Sequence, residues 1–418
     1  MQIEAADAGR APAASPKLRL AGDALLRDAV QRVASRGMYV PSWPGLNPRL
    51  LFRAGPAREP LFPLNAPHRT YAYVARSLIY HLFRTLSMGN GSTVLVPDYH
   101  HGNEIRAIRA AGATLRFYRI GRDLEPDLEQ LESLCRSGAR ALVVIHYLGW
   151  PQPIREIAAL CRKNGVLLIE DCALSLFSES RGRPLGSFGD HAVFCLYKTL
   201  PLPHGALLVQ NREVLQPLDE LQLPPCGFLS VAARSAELML EWTRSRWNAP
   251  GKGLFAMKRA AGRLLSAARV RRVPVGGAGF DAADAGVGMS GISRRLLGCW
   301  DYRNVRRRRR RHFRLLLKRF SGRVALLPRS LEPGMCPLGF PILVRDKGQA
   351  ARALWARGIQ AIEFWNQGDS EAEASGSSEA AFLRRHVLEL PIHQELSPAQ
   401  VEYMAEQVLS LDACRAPE

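Results

Sequence analysis

The sequence predicts an α/β protein built on a mostly parallel, doubly wound sheet, and three observations predict it. From about Tyr71 onward, short apolar runs alternate with segments of helical periodicity, the pattern of β-α-β units. Runs such as Val166-Leu167-Leu168-Ile169 and Ala206 to Val209 are apolar throughout and bounded by Gly or Pro, as buried strands are. Polar residues collect where these runs end, at Asp98-Tyr99-His100-His101, His146, Glu170-Asp171 and Lys198. Ligands of open α/β sheets bind at the carboxyl ends of the strands.

Residues 1 to about 60 are Pro- and Gly-rich in stretches such as Pro41-Ser42-Trp43-Pro44-Gly45 and read as an extended arm. Residues 61–305 read as a large domain. Tyr73 to Leu86 carries apolar residues at helical spacing and stops at Gly89-Asn90-Gly91. The stretch from Ser92 to Ile120 follows as strand, short loop, helix and strand. Asp123 to Gly138 is a leucine-spaced polar helix, Arg140 to Tyr147 a buried strand, and Ile154 to Asn164 a helix before the Val166 strand. Gly288 to Phe320 is a long helical stretch leading to a smaller α+β domain, residues 306–418. There, Leu338 to Val344, Ala361 to Trp365 and Val387 to Pro391 read as strands and Ala350 to Arg357 as a helix. Gly368 to Ser378 reads as a polar loop. Ser397-Pro398-Ala399-Gln400 is a capping-box start with Pro at the first helical position.

With 418 residues, 47% hydrophobic and 23% charged, the chain can bury a large core and belongs with globular proteins. The net charge of +19 suits anionic ligands such as phosphates and nucleotides, or an acidic membrane surface. No nucleic-acid motif is present, and the Arg306 to Arg311 run reads as an exposed helix face. The eight cysteines (135, 161, 172, 195, 226, 299, 336 and 414) form no C-x-x-C pair or His/Cys cluster. That pattern predicts a reducing cytoplasm and no metal site. The first 20 residues lack the apolar core of a signal peptide, and no stretch reaches the roughly 20 apolar residues of a membrane span. Residues 252–273, Ala/Leu-rich and flanked by Lys and Arg, read either as a solvated helix or as a basic amphipathic helix on a membrane surface.

A lysine past one strand and a carboxylate at the end of another can do chemistry together. The amine can form an imine with an aldehyde, and the carboxylate can hold a heteroaromatic nitrogen protonated. The order of motifs extends this reading: V-L-V-P-x-Y-H, V-I-H-Y-x-G-x-P-x-P-I, I-E-D-C-A, G-S-F-G-D, then a lysine and a turn into L-L-V. In this it resembles the DegT/DnrJ/StrS family, fold-type-I aminotransferases that use pyridoxal 5'-phosphate (PLP) and act mostly on nucleotide-linked keto sugars. The resemblance runs from about Tyr71 to Leu411 and fades over 211–285.

The resemblance implies a role for each matching residue. Lys198 is the Schiff-base lysine and then the base of the 1,3-proton shift, and Asp171 is the partner of the pyridine nitrogen. Arg76 and Ser77 stand at the phosphate, His101 at the face of the ring, and Leu174 and Cys195 at further cofactor contacts. Tyr99, His146, His204 and His393 are candidates for the substrate side, although His146 also reads as structural and His393 as a loop histidine. The departures from the family lie here too. Leu174 stands where a Gln or His meets the cofactor's phenolic oxygen, and Cys195 stands closest to where a serine binds phosphate. The spacing Cys195-Leu196-Tyr197-Lys198 is similar to the S-x-x-K of other fold-type-I transaminases. The turn Pro203-His204-Gly205-Ala206 has one glycine fewer than the family's, and only Met289-Ser290 remains of the turn before the long helix.

The implied activity is transfer of an amino group, from glutamate or another amino acid, to a keto sugar, by a homodimer in polysaccharide or secondary-metabolite biosynthesis. Leu174 and Cys195 leave open a PLP enzyme acting on another amine or amino acid. A third alternative is a non-catalytic homologue serving as a binding partner, against which the retained Asp171 and Lys198 speak.

Overall fold

The computed structural model describes residues 38–53, 59–89, 91–247, 279–366, 368–374 and 377–417. The large sheet has seven strands: β1 (Arg69–Ala72), β2 (Thr93–Pro97), β3 (Thr114–Tyr118), β4 (Ala141–Ile145), β5 (Leu167–Asp171), β8 (His191–Cys195) and β9 (Ala206–Gln210). A small hairpin, β6 (Glu179–Ser180) and β7 (Arg183–Pro184), lies between β5 and β8. The order across the sheet is β1-β9-β8-β5-β4-β2-β3, with β3, β2, β4, β5 and β8 mutually parallel and β9 antiparallel to both its neighbours. Helices α1 (Ala75–Thr85), α2 (Asn103–Ala110), α3 (Leu128–Arg136) and α4 (Ile154–Asn164) connect the parallel strands or precede them.

Strand alternation explains the continuous apolar runs. In β4, Leu142 and Val144 enter one apolar cluster while Ala141 and Val143 enter the cluster that includes Leu78 and Leu82 of α1. Each fully buried Val or Leu contributes roughly 1.5–3 kcal/mol of transfer free energy, so neither face of β4 tolerates a charge. The same alternation separates Glu170 from Asp171, sending adjacent carboxylates to opposite faces.

Beyond β9 come α5 (Gln216–Asp219), α6 (Phe228–Arg246), α7 (Gly291–Leu297) and α8 (Tyr302–Phe320). The smaller sheet, ordered β10-β12-β11, comprises β10 (Gly339–Leu343), β11 (Ile362–Glu363) and β12 (Val387–Pro391). It is accompanied by α9 (Lys347–Ala356), α10 (Ser370–Ala374), α11 (Ser378–His386) and α12 (Pro398–Ser410). The expected capping box at Ser397 and Gln400 is present.

Three expectations change. The loop expected from Gly368 to Ser378 contains the short α10. The strand expected over Ala361 to Trp365 shortens to two residues, because Trp365 turns the chain at a φ of 44°. The arginine run is not an exposed face. Arg309 is 1% exposed, and Arg306, Arg308 and Arg310 are tied to Glu179, the Leu396 carbonyl and the Glu332 and Met335 carbonyls.

The described part of the arm, 38–53, packs on the body. Leu46 N donates to the Leu238 carbonyl of α6 (3.0 Å), Val40 bridges Ile359, and Gln400 Nε2 donates to the Tyr39 carbonyl (2.7 Å). The basic segment 252–273 lies outside the described residues.

Candidate active site

A cavity of about 680 Å³ opens between the carboxyl ends of the large sheet's strands, the start of α1, the arm, α6 and the small domain. Asp171 and Cys195 reach it from the ends of β5 and β8, and Lys198 from the turn Leu196–Lys198 that follows β8. β5 and β8 are adjacent and parallel, with Asp171 opposite Val193. A lysine a few residues past Val193 is therefore delivered next to the carboxylate.

Asp171 is 7% exposed and accepts one hydrogen bond, from Ala173 N at 2.9 Å. Burial pushes its carboxyl up to about 6, and Glu104 adds to this, while the Ala173 N–H and Lys198 act in the opposite sense. An acid held this way favours a bound cation that donates a hydrogen bond to it. The field of Lys198 also reaches His101, Cys195 and Glu389, which places the amine centrally.

Glu170 has the opposite job. Its oxygens accept from Gly186 N, Phe188 N and Gly189 N at 2.6–2.8 Å and from His146 Nε2 at 3.0 Å. It is the anchor of the Gly-Ser-Phe-Gly loop. His146 Nδ1 accepts from Gln152 N at 3.1 Å, so its proton sits on Nε2. Among the described residues, His146, Glu170 and Cys172 are close enough to share an ion, but these hydrogen bonds already commit the histidine and the carboxylate.

The expected cofactor residues divide. Arg76, His101, Leu174 and Cys195 line the cavity with Asp171 and Lys198. Ser77 does not: it is 1% exposed within α1, and Val74, Ala75 and Arg76 form the edge instead. Val74 supplies no side-chain cap, so the start of α1, beside Arg76, suits an anion. Burial lowers the His101 imidazole, and burial raises the Cys195 thiol, which receives the Tyr197 hydroxyl hydrogen bond. Leu174 presents only carbon.

The structure does not bring the four expected substrate-side residues into the cavity. Tyr99 is fully buried in an aromatic group with Tyr147 and Trp365. His146 is fixed behind the sheet by Glu170 and Gln152. His204 stacks on Tyr73 at 4.3 Å and meets Ser290 Oγ at 3.0 Å, and burial lowers its imidazole to about 4. His393 pairs with the Pro41 carbonyl at 3.0 Å and pins the arm. Met289 and Ser290 face inward as well. Met289 fills the space beside Gly205, whose φ of 142° excludes a side chain, and Ser290 caps α7.

In their place the cavity holds residues that the sequence reading passed over: Trp43, Glu104, Arg106, Arg234, Trp365 and Glu389. Two carried a signal. Glu389 is a lone charge in the apolar strand Val-Leu-Glu-Leu-Pro, and Glu104 stands three residues past the conspicuous His100-His101 pair. Arg234 and Trp43 sit in segments without resemblance or periodicity that would single them out.

This sheet order, with a carboxylate and a lysine at the ends of neighbouring parallel strands, is the architecture of fold-type-I aminotransferases. Residues 75–222, about a third of the chain, match the DegT/DnrJ/EryC1/StrS aminotransferase family, and the match runs from the first turn of α1 to just past α5. A GDP-perosamine synthase of Vibrio cholerae is 26% identical over 155 residues, 36% of this chain and 42% of that protein. The UDP-N-acetyl-3-dehydro-α-D-glucosamine 3-aminotransferase of Acidithiobacillus ferrooxidans is 30% identical over 115 residues, 27% of this chain and 31% of that protein. The matches thus span less than half the length of these curated relatives. PseC of Helicobacter pylori, an aminotransferase involved in the biosynthesis of pseudoaminic acid, superposes with a TM-score of 0.63 at 16% identity, over 89% of this chain and 98% of its own. A Streptococcus pneumoniae protein solved in its PLP form gives 0.62 at 15%, over 88% and 97%. At these identities the likeness is one of fold.

Proposed function

We propose that this protein is a PLP-dependent aminotransferase that moves an amino group from an amino acid, glutamate in the first instance, to a nucleotide-linked keto sugar. The observation that carries the reading is the convergence of Lys198 and Asp171 in one buried cavity rimmed by Arg76, Arg106 and Arg234. The residues fit the cofactor. Asp171 is a buried carboxylate suited to a protonated ring nitrogen, the start of α1 with Arg76 suits the phosphate, and His101 supplies a flat wall. Leu174 and Cys195 weaken the set only at its edges, since a thiol is a poorer donor than a hydroxyl.

When bound, PLP supplies an electron sink that makes transfer of an amino group feasible. Lys198 would hold the cofactor through its amine and, with that amine free, would accept and return a proton at Nζ. Asp171 would accept a hydrogen bond from the protonated ring nitrogen. Arg106 and Arg234 face the open side, where a diphosphate gains from paired guanidinium contacts. The burial of Asp171, Glu104 and Glu389 strengthens every charge interaction made there.

We also place the protein in the cytoplasm as a homodimer. Its eight cysteines are unpaired and seven are buried, which suits a reducing compartment. Phe228 and Leu229, 74% and 59% exposed at the start of α6, offer an apolar patch on the helix that supplies Arg234.

The test is direct. The purified protein mixed with PLP should acquire an absorbance in the visible or near ultraviolet, borohydride should fix the label on Lys198, and glutamate should change the spectrum. A protein that takes up no PLP refutes the proposal.

A further inference from the structure

Glu389 stands at the middle of β12, between Leu388 and Leu390, both fully buried. It is 4% exposed and its carboxyl opens on the cavity. Unlike Glu170, it makes no hydrogen bond with any described residue. The two cations whose fields reach it are Lys198 and Arg309. Arg309 is committed elsewhere, donating to Gln394 Oε1 and to the carbonyls of Pro337, Leu338 and Thr199. Space for the carboxyl is provided across the sheet by Gly339, where any side chain would collide with it. Burial pushes the group up to about 7. A buried carboxyl without a partner lowers the stability of the fold, and a strand of leucines would hold this sheet better. The group is built, aimed and unsatisfied.

We propose that Glu389 reads the substrate: its carboxyl receives an O–H or N–H donor on the carbon next to the reacting carbonyl, so that the site takes hydroxy- or amino-bearing keto sugars and rejects their deoxy counterparts. This rests on the aminotransferase reading, because Lys198 marks where the substrate's carbonyl carbon must come. A carboxyl beside that amine reaches the neighbouring carbons of the sugar ring, not the nucleotide at the arginine rim. Buried groups designed to pair with a hydroxyl discriminate strongly against a ligand that lacks it, because the group is then left unpaired again.

The first arm of the test needs no cofactor. Near about pH 8, where the carboxyl is ionised, the cofactor-free E389Q and E389L variants should melt at higher temperature than the wild type. A lower midpoint for both would make Glu389 a structural anchor and overturn the proposal. The second arm uses the loaded protein and two probes, a nucleotide-linked 4-keto hexose bearing its 3-hydroxyl and the 3-deoxy analogue. The wild type should prefer the hydroxylated probe by about 10- to 100-fold in kcat/KM. E389Q should keep part of the preference and E389L should bring it near one. An equal preference in wild type and E389L overturns the proposal. So does a defect confined to the glutamate half-reaction, which would assign Glu389 to the amino donor. A wild type that takes up no PLP refutes the proposed function and this proposal with it, whereas uptake without discrimination refutes this proposal alone.

Discussion

Replacing Asp171 by Asn removes an ionisable group that the folded chain holds against its tendency. In the cofactor-free protein the carboxyl is moved from an ordinary 3.8 to about 6, chiefly by burial. Below 3.8 it is protonated in the folded and the unfolded chain, and it contributes no pH dependence. Between 3.8 and about 6 only the unfolded chain releases the proton, so stability falls as pH rises. Above 6 both forms are ionised and the loss is complete. At about 1.4 kcal/mol per pH decade the loss amounts to about 3 kcal/mol, and Asp171, being 7% exposed, receives little screening from solvent. Urea denaturation of wild type and D171N between about pH 4 and about pH 8 should therefore show curves that converge at low pH and separate as pH rises. The Asn variant should be the more stable at neutral pH. Adding PLP should close the gap, because a ring N–H⁺ donating to the carboxylate stabilises its ionised form. Parallel profiles, or a variant less stable than the wild type at every pH without cofactor, would refute the reasoning.

Lys198→Ala should abolish the borohydride-fixed label while leaving the fold intact, as read by mass spectrometry beside circular dichroism; a label elsewhere would remove Lys198 from its role. Arg309→Met takes a donor from the Pro337 and Leu338 carbonyls and from Gln394 Oε1, and should cost about 2 kcal/mol or more in urea denaturation. Arg309→Lys should recover only part of this, because a single ammonium cannot span the same carbonyls. Glu170→Gln turns an amide N–H₂ toward backbone donors of the Gly186–Gly189 loop. It should destabilise by about 2 kcal/mol or more, with faster amide exchange at Phe188 and Gly189 as the local readout.

The parallel sheet was legible because β4, β5, β8 and β9 are apolar on both faces, a demand so strict that it leaves a continuous run in the sequence. The pair Asp171 and Lys198 was legible for a related reason. The only charges tolerated near such strands stand at their ends, and residues at strand ends face the ligand. Ser77, Tyr99, His204 and His393 fall outside the cavity, and His146 keeps its structural reading, because proximity in sequence to a strand end does not reveal on which side of the backbone a side chain falls. One residue of offset separates Arg76, at the cavity edge, from Ser77, inside α1, and Asp171 from Glu170. Each buried histidine found a local partner instead: a carboxylate for His146, a tyrosine ring and Ser290 for His204, a carbonyl for His393.

What the sequence concealed comes mostly from far away along the chain. Glu389 shares the cavity with Lys198 because β12 runs through the centre of a second sheet, and Arg309 joins that sheet to the lysine's turn through the Thr199 carbonyl. Gln394 Nε2 donates to the same carbonyl at 3.0 Å, so the segment directly after Lys198 is held by the Arg309 and Gln394 side chains as well as by its own turn, where Thr199 N and Leu200 N donate to the Leu196 carbonyl. A shift of the small domain would then move the anchor of Lys198 and the carboxyl of Glu389 together. The turn that carries the amine is thereby joined through Arg309 and Gln394 to the sheet that carries Glu389.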